Sequence, residues 1–269
     1  MAVTGSGTEQ DPWVVTTYAE LVDKAANSGE YVKIANDINI TDEYPDGDMP
    51  QLSLQAIVDG NNKKISNWYK TSGEPIYINT GSAQLRDCTL ANIYAKNGVC
   101  FAVCNGYNED YHFVNCKFHG VIWMPLLQAI DDNYSYNNFS SCSFYIENKS
   151  NEAAIVNNSW SYIGMRYCYI KVKNAGTATA LFNTTRSTHI ESCYIESDVP
   201  CGCYGDMNNS VLDITTNTTF TASGNSSHDL CILNSTHAPN ASVGNGFALV
   251  DSEHWTNVGY LNSIGFNAG

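Results

Sequence analysis

Charged side chains are scarce in this chain, and basic ones are the scarcest. Only 15% of the 269 residues are charged, and 13 basic residues stand against 27 acidic ones, giving a formal net charge of −14. A nucleic-acid-binding surface needs clustered Lys and Arg to displace counterions, so the composition argues against a nucleic-acid partner. With 43% hydrophobic residues, the chain also differs from disordered proteins.

Long apolar runs and export signals are also lacking. No stretch approaches the roughly 18 apolar residues of a membrane-spanning helix, so we expect no membrane partner. The opening MAVTGSGTEQDPW has neither the basic stretch nor the apolar core of a secretory signal. We therefore expect the ten cysteines to be reduced thiols of a protein made in a cytoplasm, not disulfides.

A repeat is the main feature that the sequence does contain. Short apolar segments ending in Asn or Asp recur at sequence steps of 26, with one last step of 25. At a turn, asparagine tolerates a left-handed conformation, and its amide can donate to the next side chain of a stack. We interpret the column as a structural ladder of Asn79, Asn105, Asp131, Asn157, Asn183, Asn209 and Asn234.

Cysteines form a second column with nearly the same period. They lie in the segments LRDCTL, FVNCKF, FSSCSF, MRYCYI and IESCYI, at sequence steps of 28, 26, 26 and 25, and a further step of 25 reaches Thr218. Small apolar thiols suit an inward-facing stack. The predicted core cysteine stack comprises Cys88, Cys116, Cys142, Cys168 and Cys193.

Two columns with one period of about 26 residues predict a solenoid. The repeated segments are short, rich in Tyr, Phe and Ile, and bounded by Asn, Ser, Thr and Gly, which is typical of strands and turns. No unit of this length holds two amphipathic helices. We therefore predict an all-β fold, a single-stranded right-handed parallel β-helix whose coils stack about 4.8 Å apart.

We expect a single domain over residues 1–269, since no Pro-rich linker divides it. An N-terminal cap with the first strands occupies 1–50, the β-helix coils occupy 51–235, and an irregular C-terminal cap occupies 236–269. The cap helix has Thr17 as N-cap and Glu20 completing a capping box. A second helical piece is expected near residues 252–258.

Acidic pairs are the candidates for catalysis, because glycoside hydrolysis needs converging carboxylates. Asp131 and Asp132 form the best pair, with Glu109 and Asp110 one coil earlier. The alternative makes Asp131 a ladder position and Asp132 a solvated turn residue. The motif order of polygalacturonase-type hydrolases is not found, so we predict no catalytic residue.

Metal ligands and cofactor motifs give no convincing pattern. The pairs Cys100/Cys104 and Cys201/Cys203 are predicted to lie several coils apart, too far for one tetrahedral site. The DGD at 46–48 is only a fragment of a calcium loop. We predict no metal and no cofactor.

Aromatic residues follow the ladder turns on adjacent coils. An exposed aromatic face would suit sugars or a partner protein, whereas the alternative is ordinary packing of a loop on the solenoid. The candidate partner or glycan contacts are Tyr134, Tyr136, Trp160 and Tyr162.

Both ends of the chain resemble β-helix proteins of tailed bacteriophages, with a pectin-lyase-like fold. The resemblance lies in GTEQDPWVVTTYAEL, YVKIANDINI and IVDGNNKKISN near the start and in DSEHWTNVGYLNSIGF near the end. It implies a virion-surface location, as capsid decoration, head fibre or tail appendage.

The leading hypothesis is therefore a non-enzymatic structural protein that decorates the capsid of a tailed phage, with phage capsid or tail proteins as partners. The alternative is a tail appendage that binds or degrades a host surface polysaccharide. The oligomeric state is left open by the sequence.

Overall fold

The short apolar segments around the column cysteines form strands, because their alternate side chains point into one core. In Ser143–Asn148, Phe144 and Ile146 are buried while Tyr145 is exposed. A computed structural model describes residues 3–78, 80–95, 101–103, 112–123, 125–129, 138–149, 155–159, 163–177, 181–184, 188–199, 205–208, 210–214, 231–234, 247–251, 253–254 and 257–263.

Three parallel sheets run along the molecule, and each full coil adds one strand to each. Within the described ranges, the nine-stranded sheet consists of Trp13–Val15, Tyr31–Ile34, Ile57–Asp59, Gln84–Arg86, Phe113–Val114, Phe139–Ser140, Ile163–Arg166, Thr188–Glu191 and Gly205–Asn208. The ten-stranded sheet consists, over the same part of the chain, of Ile38–Asn39, Lys64–Lys70, Thr89–Ala95, Lys117–Ile122, Ser143–Asn148, Tyr169–Asn174, Tyr194–Ser197, Val211–Ile214, Cys231–Asn234 and Phe247–Val250. The six-stranded sheet consists, where the chain is described, of Leu52–Leu54, Ile76–Ile78, Phe101–Val103, Leu127–Ala129, Val156–Ser159 and Phe182–Thr184.

The register between coils confirms the predicted parallel β-solenoid and its period. Phe118 pairs with Phe144, Phe144 with Ile170, and Ile170 with Ile195, all in parallel strands. Equivalent residues therefore stack directly upon one another. The core gains stacked aromatic rings in this way, such as Phe118 on Phe144 with centroids 4.7 Å apart.

The five cysteines of the predicted stack are buried and free. Their thiols satisfy backbone carbonyls of the preceding coil: Cys116 Sγ donates to Leu85 O at 3.2 Å, and Cys142 Sγ to Phe113 O at 3.3 Å. Burial raises the pKa of the Cys88 and Cys142 thiols well above their ordinary value. The Cys88 and Cys142 thiols are therefore neutral side chains in the core.

The period shortens after Cys193, which corrects the sequence-based continuation of this column. Tyr194 pairs with Val211, so that coil advances only 17 residues. Ser210, not Thr218, therefore follows Cys193 in the column, and its buried Oγ accepts from Cys193 N at 3.1 Å. Thr218 lies outside the described residues.

The N-terminal end of the solenoid is covered by an α-helix, Tyr18–Ala25. The predicted capping box is present, since Thr17 accepts from Glu20 N and the Glu20 carboxylate accepts from the cap backbone. The helix buries Tyr18, Leu21 and Ala25 against the first coil. A short 3-10 helix, Ile40–Asp42, follows the strand Ile38–Asn39.

The C-terminal segment departs from the expected irregular cap. Phe247–Val250 is a regular strand that pairs in parallel with Cys231–Asn234, so the ten-stranded sheet continues past residue 235. The second α-helix spans Val258–Ser263, later than the predicted 252–258. Among the described residues, no helix is long and apolar enough to cross a membrane.

Candidate functional site

Most of the sequence-predicted site residues lie outside the described residues. This holds for the acidic candidates Glu109, Asp110, Asp131 and Asp132 and for the aromatic candidates Tyr134, Tyr136, Trp160 and Tyr162. It also holds for the ladder positions Asn79, Asn105 and Asn209. These assignments stay predictions.

The remaining ladder positions do not form the predicted single column at a turn. Asn157 and Asn183 pair with one another, but inside strands of the six-stranded sheet. Asn234 lies in the ten-stranded sheet, so its place in this column is wrong. Counting by the regular period fails there because the intervening coils are shorter than the earlier ones.

The structure instead contains an asparagine ladder on the ten-stranded sheet. Asn67 Nδ2 donates to Asn39 Oδ1 at 2.9 Å, and Asn92 Nδ2 donates to Asn67 Oδ1 at 3.2 Å. Asn67 and Asn92 both adopt the left-handed region, with φ of 62° and 55°. This conformation interrupts the strand alternation, so Trp68 turns inward and Tyr69 outward.

Gly120 occupies the next position of the ladder. Its φ is +95°, and a Cβ there would lie 2.3 Å from Asn92 Oδ1. That oxygen accepts from Val121 N at 3.4 Å. Only glycine allows the backbone to approach the neighbouring asparagine so closely, and the strand then brings Trp123 to the surface.

An aromatic column results from this repeated kink, and it is defined by Tyr69, Tyr94 and Trp123. The Tyr69 and Tyr94 rings stack with centroids 4.8 Å apart and planes 9° apart. Trp123 meets Tyr94 edge to face at 5.6 Å. Lys149, one coil further, places Nζ 5.5 Å from the centre of the Trp123 ring. Tyr69 and Trp123 remain 38% and 36% exposed, which is unusual for side chains this large.

The acidic loop at residues 42–50 forms a wall beside this column. Gly47 lies against the Tyr69 ring, where a Cβ would be 2.3 Å from a ring carbon. Asp48 accepts from Thr71 Oγ1 at 2.7 Å, and this bond holds the pKa of Asp48 below its ordinary value. Lys70 Nζ donates to Met49 O at 2.9 Å. These contacts fix the loop beside the rings.

Between loop and column lies a groove of about 550 Å³. Aromatic rings supply flat apolar surfaces, while Asn67, Asn92, Thr41 and Asp46 add amide, hydroxyl and carboxylate groups. Apolar walls with a few polar groups are typical of sites for small organic ligands. Among the described residues, no group of three or more His, Cys, Asp or Glu could hold a metal ion.

Sequence reasoning missed this groove, although a signal was present. The segments Asn67-Trp68-Tyr69 and Asn92-Ile93-Tyr94 share the pattern Asn-x-Tyr, and their asparagines are 25 positions apart. The loop that completes the groove belongs to the predicted N-terminal cap, and no periodic pattern connects it with Trp123.

The class defined by these features is a parallel β-solenoid with an exposed aromatic groove. Comparison with family models finds no match, and comparison with curated proteins finds none either. Among solved structures, the chain is similar to a Bacteroides ovatus protein provisionally named an immunoglobulin A1 protease. The identity is 15% and the TM-score 0.44, over 93% of this chain and 80% of that one.

The name of that structure contradicts the prediction that this protein is not an enzyme. That prediction was inferred from missing motifs alone, and we withdraw it. At 15% identity the likeness concerns the fold, and we transfer no catalytic residue or substrate from it. None of these findings bears on a phage origin, so the phage resemblance stays a prediction.

Proposed function

We propose that this protein binds a glycan in the groove beside the aromatic column. The observation that carries the proposal is the arrangement of Tyr69, Tyr94 and Trp123, held as stacked and edge-on rings on three successive coils. The apolar face of a sugar ring packs on such surfaces, while its hydroxyl groups need donors and acceptors nearby. Asn67 and Asn92 provide amides among the residues that line the groove.

The charges near the groove favour a neutral glycan. Asp46 lines the groove, and the whole chain carries a formal charge of −14, so an acidic polysaccharide would approach against repulsion. Lys149 lies at the end of the column, over the Trp123 ring. Its Nζ is 3.8 Å from Glu147 Oε1. Its charge is therefore partly balanced.

A printed array of neutral and acidic oligosaccharides tests the proposal. The wild-type protein should bind neutral members of the array. Trp123→Ala should weaken that binding by about tenfold, because losing the aromatic contact and its buried apolar area should reduce the binding free energy by roughly 1.4 kcal/mol. The matched control is Tyr31→Ala, which removes a half-buried tyrosine from the nine-stranded sheet. Binding to no array member, or equal loss in both variants, would refute the groove as a glycan site.

A reducing-end assay on the same oligosaccharides extends this experiment. New reducing ends that disappear in Trp123→Ala would add cleavage to binding at the groove. An unchanged oligosaccharide would leave binding alone as the function of this site.

A second proposal concerns the place where the protein acts. On the resemblance of its two ends, we propose that it stands on the outer surface of a tailed-phage virion, as a capsid decoration or a tail appendage. The excess of acidic residues supports this, since like-charged surfaces keep particles apart. Mass spectrometry of purified virions tests this proposal. A copy number near that of the major capsid protein would indicate capsid decoration, and a low copy number would indicate a tail appendage. Absence of the protein from virions would refute the proposal.

A further inference from the structure

A second aromatic cluster lies on the outer face of the ten-stranded sheet, and we call Tyr145, Tyr169 and Tyr194 the tyrosine patch. The Tyr145 and Tyr169 rings are 5.3 Å apart, and those of Tyr169 and Tyr194 are 5.2 Å apart with planes only 2° from parallel. Tyr145 is 47% exposed. The patch is therefore a column of tyrosine rings stacked on one another, with the exposed Tyr145 at one end.

Two of the three hydroxyl groups of the patch, those of Tyr169 and Tyr194, are held in place by carboxylates. Tyr169 Oη donates to Glu196 Oε2 at 3.2 Å, and Tyr194 Oη donates to Asp213 Oδ2 at 3.3 Å. Partial burial raises the pKa of both tyrosines, and the negative charge of the neighbouring carboxylate raises it further. Both side chains are therefore neutral at physiological pH. Lys171 Nζ forms an ion pair with Glu196 Oε1 at 2.7 Å, which balances the charge of this carboxylate. Fixed rings and paired charges suit an uncharged polyhydroxy ligand.

Tyr167, two residues before Tyr169 in the chain, adds an independent observation. It is 55% exposed, yet it adopts the left-handed region at φ 56°, which is costly for a bulky side chain. The same corner in other coils holds small residues at similar φ: Asp87, Asn115, Ser141 and Ser192. An exposed aromatic ring kept in strained backbone is typical of a functional contact.

The patch and the groove are neighbours on one surface. Tyr145 pairs with His119, and Trp123 follows His119 by four residues on the adjacent coil. Four residues of strand and one step between strands separate their Cα atoms by about 14 Å at most. A short oligosaccharide is long enough to cover that distance.

We propose that the tyrosine patch is a second subsite for the same neutral glycan, so that one unbranched chain lies across the groove and the patch. This inference rests on the proposed function of the groove. It predicts that affinity rises with chain length, because a chain that reaches both subsites gains the second contact as an intramolecular event.

The test uses the printed array with members of each neutral repeat from disaccharide upwards. Wild type should bind the long members at least about tenfold more tightly than the short ones. Tyr145→Ala should remove this advantage and leave binding of the short members unchanged. Tyr167→Asn should also reduce it without lowering the thermal unfolding temperature, since asparagine accepts the left-handed conformation. Tyr31→Ala is the control and should behave like wild type.

The outcomes separate the two proposals. Equal affinity for short and long members, or an unchanged length advantage in Tyr145→Ala, overturns the second subsite while the groove stands. Loss of short-member binding in Tyr145→Ala but not in Trp123→Ala overturns both assignments, since the patch would then bind alone. No binding to any member also overturns both.

Discussion

Asn67 connects the asparagine ladder to the aromatic column, and its replacement tests how the groove is held. Its side chain donates to Asn39 at 2.9 Å and accepts from Asn92 at 3.2 Å, while its backbone stands at φ 62°. The Asn67 amide therefore makes two hydrogen bonds, and the Asn67 backbone is also held in a left-handed conformation. Substitutions can remove these contributions separately.

Each hydrogen bond contributes about 1 kcal/mol net to the free energy of unfolding. The left-handed conformation costs roughly another 1 kcal/mol for a side chain with a Cβ and no local hydrogen bond. Asn67→Gly should thus lower the free energy of unfolding by about 2 kcal/mol, and Asn67→Ala by about 3 kcal/mol. This order is the reverse of that at ordinary strand positions, where alanine is more stable than glycine.

Urea unfolding followed by tryptophan fluorescence measures the effect. Trp68, the next residue, is 1% exposed, so its emission reports opening of this part of the solenoid. Asn62 gives a matched control, since it has φ 57° and no side-chain hydrogen bond is found for it in the described structure. Asn62→Ala should therefore show only the conformational cost. An Asn67→Gly variant less stable than Asn67→Ala, or as stable as wild type, would refute the ladder's role.

Three further predictions concern other parts of the fold. Gly120→Ala should lower the free energy of unfolding by roughly 1–3 kcal/mol, measured by urea unfolding, because its Cβ would lie 2.3 Å from a ladder oxygen at positive φ; wild-type stability would contradict this. The backbone hydrogen bond from Thr16 lowers the pKa of Glu20, so its contribution to stability is present above the ordinary value of 4.5 and is lost as the pH falls through the lowered value. Glu20→Gln should therefore flatten the acid side of the plot of unfolding temperature against pH, and an unchanged slope would count against the capping box. Cys88 and Cys142 should resist alkylation in the native protein and react in urea, as peptide mapping by mass spectrometry can show; rapid native labelling of either would contradict their burial.

The cysteine column could be predicted because its period reflects a physical requirement. Each coil must return to the same place in the core, so a buried small side chain recurs once per coil, at an even spacing while the coils keep one length. The continuation to Thr218 failed because the coil after Cys193 is shorter, and Ser210 fills the place. A serine hydroxyl can replace a thiol there because it hydrogen-bonds the backbone.

The asparagine ladder shows what the period alone cannot decide. A common spacing says that residues are equivalent, but not whether they lie at a turn or within a strand. The observed ladder at Asn39, Asn67 and Asn92 has unequal steps of 28 and 25, since the loop at 42–50 lengthens one coil. The groove depends on that loop and on three coils together, so its position follows from tertiary structure.

The most direct test of the glycan-binding account is a crystal structure of the protein with a neutral oligosaccharide that the array identifies as bound. The account predicts a sugar ring packed on Trp123 or Tyr94, with hydroxyl groups near the amides of Asn67 and Asn92. A well-ordered oligosaccharide bound elsewhere on the solenoid, with the groove filled by solvent, would contradict it.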